Sequence, residues 1–402
     1  MNKSRMKTII LALSVSMMAI AMISFPEESV KASISGLHMW WDIVFPSLFP
    51  FFVIAELLIG FGVVTFMGVL LEPLMRPLFG VPGVGGFTWA MGMATGFPAG
   101  AKLTARLREE GQLTKIEAER LVSFTNSSSP LFIFGAVAVG FFKNPSLGII
   151  LAVTHYLGNI TVGLCMRFYH RNEIQKVKDT SFSIHIFSNA LKELHRTRLK
   201  NKKPLGKLLG DAVISSIHTL LMIGGFIILF SVINKLLFYV NITAILGSYL
   251  AFIFSIFHLP GELAIPFIAG ILEITLGNQM TSNVLEANLM QQIIIASFIL
   301  GFSGLSVQAQ VASILAVTDI RFKPFFFARI AHGFLSAIYT FLLWDIFNKK
   351  FYTPAGSLST LPNHFKAFTQ WWETFTWWGP IFTIGCLILY VYFYIKKMKS
   401  VS

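Results

Sequence analysis

A chain of 402 residues that is 54% hydrophobic and 13% charged, with 40 phenylalanines, is too apolar to fold around one water-soluble core. Its net charge of +13 does not mark a nucleic-acid binder, because the basic residues lie in short clusters between apolar runs, the distribution that membrane insertion imposes. Two cysteines, Cys165 and Cys386, each inside an apolar stretch, exclude a disulfide framework and a thiolate zinc site.

Residues 1–30 place Lys3, Arg5 and Lys7 ahead of an apolar run ending near Phe25, the pattern of a signal peptide or an N-terminal anchor helix. Stretches long enough to cross about 30 Å of hydrocarbon as helices lie near 40–66, 119–142, 145–168, 208–240, 290–318, 325–347 and 376–395. Two more, 80–100 and 257–280, are interrupted by Gly and Pro and lack a clean span. The clusters from Lys102 to Arg120, from Arg167 to Lys207, at Arg321 and Lys323, and from Lys396 to Lys399 share the inner side on one condition. The first interrupted segment must enter and leave from inside, and the second from outside. Both are therefore expected to be re-entrant hairpins, at 80–110 and 257–289. The same orientation leaves both termini cytoplasmic. It puts Trp40, Trp41, Trp344, Trp371, Trp372, Trp377 and Trp378 at outer headgroup level, where indole is favoured.

The two hairpins also share sequence. "FGVPGVGGFTWAMG" and "FHLPGELAIPFIAG" match at Phe79/Phe257, Pro82/Pro260, Gly83/Gly261 and Gly92/Gly270. Each follows a long apolar helix and precedes a helix carrying a Ser-Phe pair, Ser123-Phe124 or Ser297-Phe298. The expected fold is an all-α polytopic membrane protein with an inverted-topology repeat, a plan that in carriers sets the substrate near the midplane. Residues 38–142 form the first repeat, 143–168 a connecting transmembrane helix and 169–207 a basic cytoplasmic linker. Residues 208–318 form the second repeat and 319–402 the C-terminal transmembrane helices.

Non-helical backbone survives at membrane depth only when buried in protein or lining a wet cavity. The hairpin tips are therefore candidate substrate contacts: Thr95, Gly96 and Pro98 with Gly100 and Lys102 just beyond, and Glu273, Thr275, Gly277 and Asn278. Each following helix carries a polar interruption, Thr125, Asn126, Ser127, Ser128 and Ser129 before Pro130 in one, Ser303, Ser306 and Gln308 in the other. Lys102, on the first turn after the tip, is expected to join that half-helix's amino end in favouring an anion such as a carboxylate. Arg106 and Arg108 are expected at the inner surface. Glu56, mid-span, and Glu273 are candidates for proton or cation coupling, since an ionisable group at that depth is costly to bury. His155, Asp211, His218, Arg329 and His332 read as helix-terminal or paired structural groups. No metallohydrolase, nucleophile-elbow or phosphate-loop pattern is present, so neither enzymatic activity nor a cofactor or metal is expected.

The stretches "FPSLFPFFVIAELLIGFG", "GFPAGAK", "SFTNSSSPLFIFGAV" and "ILEITLG" resemble the nucleoside-recognition (Gate-domain) superfamily, in its branch from endospore-forming bacteria, over roughly 35–350. The resemblance implies half-units of the concentrative nucleoside transporter plan, a hairpin plus an interrupted helix repeated upside down. It also implies transport of dipicolinate, pyridine-2,6-dicarboxylate, from the mother cell across the outer forespore membrane. The family name suggests nucleosides, whereas a cation beside the first tip suits a dianion. Two alternatives stay open: nucleoside or cation-coupled uptake, and a non-transporting scaffold for spore-envelope assembly. The partners expected are a small dicarboxylate and the lipid bilayer, with homo-oligomerisation open.

Overall fold

The computed structural model of the chain describes residues 3–171, 186–200, 203–350, 378–379, 381–386 and 388. Contacts divide the chain into two units, residues 1–352 and 353–402. Of the second, short helical pieces at 378–379 and 381–386 are described. Most of the expected span 376–395, with Trp371, Trp372, Trp377 and the basic cluster Lys396 to Lys399, lies outside the described residues.

The first unit is helical throughout its described elements. Helix α1 (Lys3–Ser24) bends by 102° into α2 (Pro26–His38) and a π-helical turn (Met39–Val44). Then α3 (Phe45–Gly60) bends by 81° into α4 (Val63–Phe79). Helices α5 (Val84–Thr95) and α6 (Ala99–Glu109) make the first hairpin. The helix after it is broken into α7 (Lys115–Thr125) and a π-helix (Leu131–Phe141), and α8 (Leu147–Met166) follows. Beyond α9 (Ile186–Lys200) the order recurs: α10 (Leu205–Tyr239), α11 (Ile242–Ile256), hairpin α12 (Ala264–Leu272) and α13 (Ile274–Thr281), broken helix α14 (Leu289–Phe302) and α15 (Gly304–Leu315), then α16 (Phe322–Lys350). Among the described residues, four helices are long and apolar enough to cross hydrocarbon, or six if each bent pair counts as one span.

The two hairpins open at opposite ends of this first unit, and α8 is the ruler that shows it. Its C-terminal Met166 belongs to the same apolar cluster as Leu107 and Leu113 at the open end of the first hairpin, and Leu315, Ile320 and Phe322 between α15 and α16. Its N-terminal Leu147 packs instead with Phe141 and Phe142, Leu259, Val284 and Ala287 at the open end of the second hairpin, and Phe347 near the end of α16. Over its 20 residues α8 spans about 30 Å, one bilayer core. The first end is also the arginine-rich one. There Arg108 pairs with Asp319 at 2.9 Å, Arg321 with Glu119 at 2.8 Å, and buried Arg120 donates to the Gly80 carbonyl at 2.8 Å.

The repeats interlock reciprocally: α6 packs on α15 while α13 packs on the π-helix, and α7 packs on α16 while α14 packs on α8. Both hairpins close through small residues. The Gly92 and Gly100 backbones face each other so closely that a methyl on either would sit 2.0 or 2.1 Å from the Thr125 carbonyl oxygen. In the second, a methyl on Gly277 would meet the Gly270 Cα at 2.1 Å.

Two expectations change. The linker 169–207 is not merely polar tether, because α9 lays Phe187, Ala190 and Thr197 along α4, with Ala190 fully buried; residues 172–185 lie outside the described set. Trp40 is not a headgroup anchor: it is buried against α10, its indole N–H donating to the Leu220 carbonyl at 2.8 Å, while Trp41 is exposed.

Candidate functional site

The chain breaks α7 where a helix is hardest to continue. Pro130 has no N–H to give and Asn126–Ser129 offer competing side-chain hydrogen bonds; Asn126 turns to φ −97°, ψ 94°. At the other break Ser303 and Gly304 both take φ +71°, a left-handed pair that stops α14 and restarts the chain as α15. Breaking a helix strands carbonyls at one stump and N–H groups at the next, and at this depth each must find a partner. At the first break Arg329 on α16 donates to the Ser123 and Asn126 carbonyls at 2.6 and 2.7 Å. His155 accepts from the Ser128 N–H at 3.0 Å, and the Tyr156 hydroxyl donates to the Ser128 carbonyl at 3.0 Å. His155 therefore carries its ring proton on Nδ1. At the second break the Gln308 amide donates to the Phe302 carbonyl at 3.1 Å.

Both tips, the first break and the first turns of α15 after the second break meet around one cavity of about 650 Å³. Its polar wall is Thr95 and Gly96 from the first tip, Ser128 and Ser129 from the first break, Glu273 and Thr275 from the second tip, and Ser306 and Gln310 from α15. Phe97 and Phe132 add aromatic surface, and Ile223 and Ile227 of α10 with Met39, Asp42, Pro46 and Leu48 close it from the amino-terminal side. Half-helices α6, the π-helix, α13 and α15 all begin at this level, directing amino ends toward it. Glu273 caps α13, accepting from the Leu276 N–H at 2.7 Å, and is 4% exposed. It also lines a neighbouring hollow of about 490 Å³ with Lys31, Asn234, Lys235 and Gln279. Glu273 and Met39 are common to the two spaces.

Of the residues singled out in the sequence, the cavity gathers Thr95, Gly96, Ser128, Ser129, Glu273, Thr275 and Ser306. The others surround it. Pro98 caps α6. Gly100 and Gly277 make the close backbone contacts within their hairpins, and the Thr125 carbonyl lodges in the Gly92/Gly100 notch. Asn126 and Ser127 are buried at the first break, and Asn278 donates to the Ile274 carbonyl at 2.7 Å. Ser303 forms the second break, and Gln308, on α15, reaches back to it.

Lys102 is not in the cavity wall. Its ammonium lies 3.1 Å from Glu56 and 3.1 Å from the Ser215 hydroxyl, above the Phe52 ring. Glu56 takes a second cation, Arg106, at 2.8 Å. The expected anion-binding lysine and one expected coupling carboxylate thus bind each other. The segment from Met39 to Leu48 is an addition that the sequence did not single out, and Arg329 and His155, read there as structural groups, hold the first break. An arginine within the apolar run 325–347 was the available signal, since such a residue is costly unless it has a task.

These features define a class: an all-α polytopic membrane protein with oppositely opening hairpins and broken helices around a midplane cavity. The chain belongs to the Gate family, described as nucleoside recognition, which matches residues 42–145 and 220–318. It is 52% identical to sporulation integral membrane protein YlbJ of Bacillus subtilis (strain 168) over 410 residues, covering 100% of this chain and 99% of that relative. A solved structure of a CNTnw variant in an outward-facing state aligns with 84% of this chain and 86% of its own, at 14% identity and a TM-score of 0.41.

Proposed function

We propose that this chain is a carrier for a small anionic metabolite, an aromatic dicarboxylate, bound in the cavity between the two tips and the two breaks. The observation that carries this reading is that convergence: four backbone interruptions, each expensive at membrane depth, surround one space whose 650 Å³ suits a small molecule. Phe97 and Phe132 offer faces to a flat ring. The hydroxyls of Ser128, Ser129 and Ser306, with the half-helix amino ends, offer donors to carboxylates, whereas the Thr95 hydroxyl donates to the Met91 carbonyl at 2.7 Å and that of Thr275 to Glu273. Dipicolinate fits that description, and the sporulation role in the name of the 52% identical relative favours it. Its path would run from mother cell across the outer forespore membrane, with the arginine-rich end cytoplasmic.

A nucleoside is the second reading, and one observation favours it. The cavity wall holds two carboxylates, Asp42 and Glu273, and neither lysine nor arginine, which suits a neutral polar ligand. Flux in proteoliposomes separates the two. Labelled dipicolinate should enter saturably, be displaced by unlabelled pyridine-2,6-dicarboxylate and not by nucleosides, and fall at least tenfold with Ser129→Val combined with Ser306→Val. Competition by nucleosides would transfer the site to them. Absence of any flux would favour the scaffold alternative.

A further inference from the structure

Arg329 has no function in the carrier reading above, yet it is a fully buried cation set against the first break. It is 0% exposed on α16, and its guanidinium carbon lies 5.5 Å from the Phe325 ring. No ion pair joins it to a carboxylate among the described residues. The titratable groups beside it are His332 and His155. The His332 Nε2 lies 2.7 Å from the His155 carbonyl, and the two rings are 4.6 Å apart. The guanidinium's partners are the Ser123 and Asn126 carbonyls, at the stump where α7 stops.

A half-helix that stops inside a membrane protein ends in orphan carbonyls and about half a negative charge. In carriers built from broken helices, such stumps coordinate the sodium ion or proton that drives the cycle. Here the stump carbonyls that such an ion would use are already engaged, while the Asn126 side-chain oxygen and the Ser127 and Ser128 hydroxyls beside them are buried without a hydrogen-bond partner. Ser123 and Asn126 face the guanidinium, and the Thr125 carbonyl is lodged between Gly92 and Gly100. At the second break the neutral Gln308 amide donates to the Phe302 carbonyl, the Ser303 hydroxyl and the Gln308 amide oxygen are buried without a partner, and no cation is present among the described residues. One difference between the repeats is thus a covalently attached positive charge.

We propose that Arg329 is a tethered cation standing where a coupling metal ion would otherwise bind, so that the first break is held together without sodium. The part of this that concerns the transport cycle rests on the carrier reading; the part that concerns ion binding does not. Arg329 is a positioning residue, fixing the α7 stump against which the first tip rests.

The ion-binding part is tested on the full chain in lipid nanodiscs by thermal midpoint in sodium, guanidinium or choline chloride at equal ionic strength. The wild type should melt at one temperature in all three salts. Arg329→Ala should melt lower in choline and be raised by several degrees in guanidinium, and by a smaller amount in sodium, because the vacated carbonyls then accept a free cation. Arg329→Lys should recover part of the loss with no sodium response. A wild-type midpoint that rises in sodium over choline overturns the proposal, as does an Arg329→Ala midpoint indifferent to all three salts. Should Arg329→Ala fail to insert, Arg329→Gln, which keeps N–H donors and loses the charge, is judged by the same two outcomes. Wild-type dipicolinate flux should be equal with and without a sodium gradient, and sodium-driven accumulation overturns the coupling part. If no flux occurs under any condition, the carrier reading falls while the nanodisc midpoints still decide the role of Arg329.

Discussion

Lys102 leaves the first tip one turn into α6 and ends at Glu56, which also takes Arg106 and the Ser215 hydroxyl. Removing the shared carboxylate exposes two cations to each other, one of them the mostly buried Lys102 ammonium, whereas removing that ammonium as well leaves Arg106 alone with its second partner, Glu110, at 2.9 Å. Glu56→Gln should therefore lower the thermal midpoint in nanodiscs, by an amount equivalent to about 3 kcal/mol. Glu56→Gln with Lys102→Met should recover most of it, and the dicarboxylate KM of the double variant should match the wild type. A KM raised tenfold in the double variant at unchanged midpoint would return Lys102 to the substrate. The sequence makes half of this legible: four-residue spacing sets Lys102 and Arg106 on one face of a half-helix. It does not say which helix that face meets. Glu56 lies about fifty residues earlier on α3, and only the packing of α3, α6 and α10 brings it there.

The hairpins belong to the next scale, and their opposite openings are the property most exposed to disproof. In a Cys165→Ala, Cys386→Ala background, a cysteine in place of Gln112, at the open end of the first hairpin, should react with a membrane-impermeant maleimide from the arginine-rich side only. A cysteine in place of Leu285, 92% exposed at the open end of the second, should react from the other side only. Labelling of both from one face would end the inverted-repeat architecture. At this scale the sequence is most informative. Gly and Pro interruptions mark where no full span can form, and basic clusters fix the sides. The first tip falls at Thr95 to Pro98 and the breaks at Asn126 to Pro130 and Ser303. Of the residues expected at the second tip only Glu273 is at the turn, since Thr275, Gly277 and Asn278 lie in α13, and Thr125, Ser306 and Gln308 lie in helices beside the breaks. What composition hides is backbone that no residue type demands: the π-helix after Pro130, the left-handed turn at a serine, and the docking of α9 on α4 across a stretch rich in Lys and Arg.

For the whole molecule the decisive residue is Glu273, because it borders both spaces. The smaller hollow runs along the second hairpin, from Gln279 and Met280 near its open end, past Glu28, Lys31 and Lys235, to Glu273, and the larger cavity begins on the other side of that carboxyl. An anion passing along this route meets Lys31 and Lys235, both paired with Glu28, and then Glu273, which repels it when ionised and can donate a hydrogen bond to it when protonated. A proton on Glu273 would therefore travel with the substrate, and acidity on the side where the second hairpin opens should raise uptake from that side. Glu273→Gln keeps the size of the side chain and its cap on α13, through the amide oxygen, while removing the proton. The variant should bind dipicolinate with an affinity near that of the wild type by calorimetry and still exchange labelled for unlabelled substrate. It should lose accumulation driven by a pH gradient. Undiminished gradient-driven accumulation in Glu273→Gln would separate the carboxyl from coupling and leave it as a helix cap alone. Loss of binding altogether would place it among the direct substrate contacts instead.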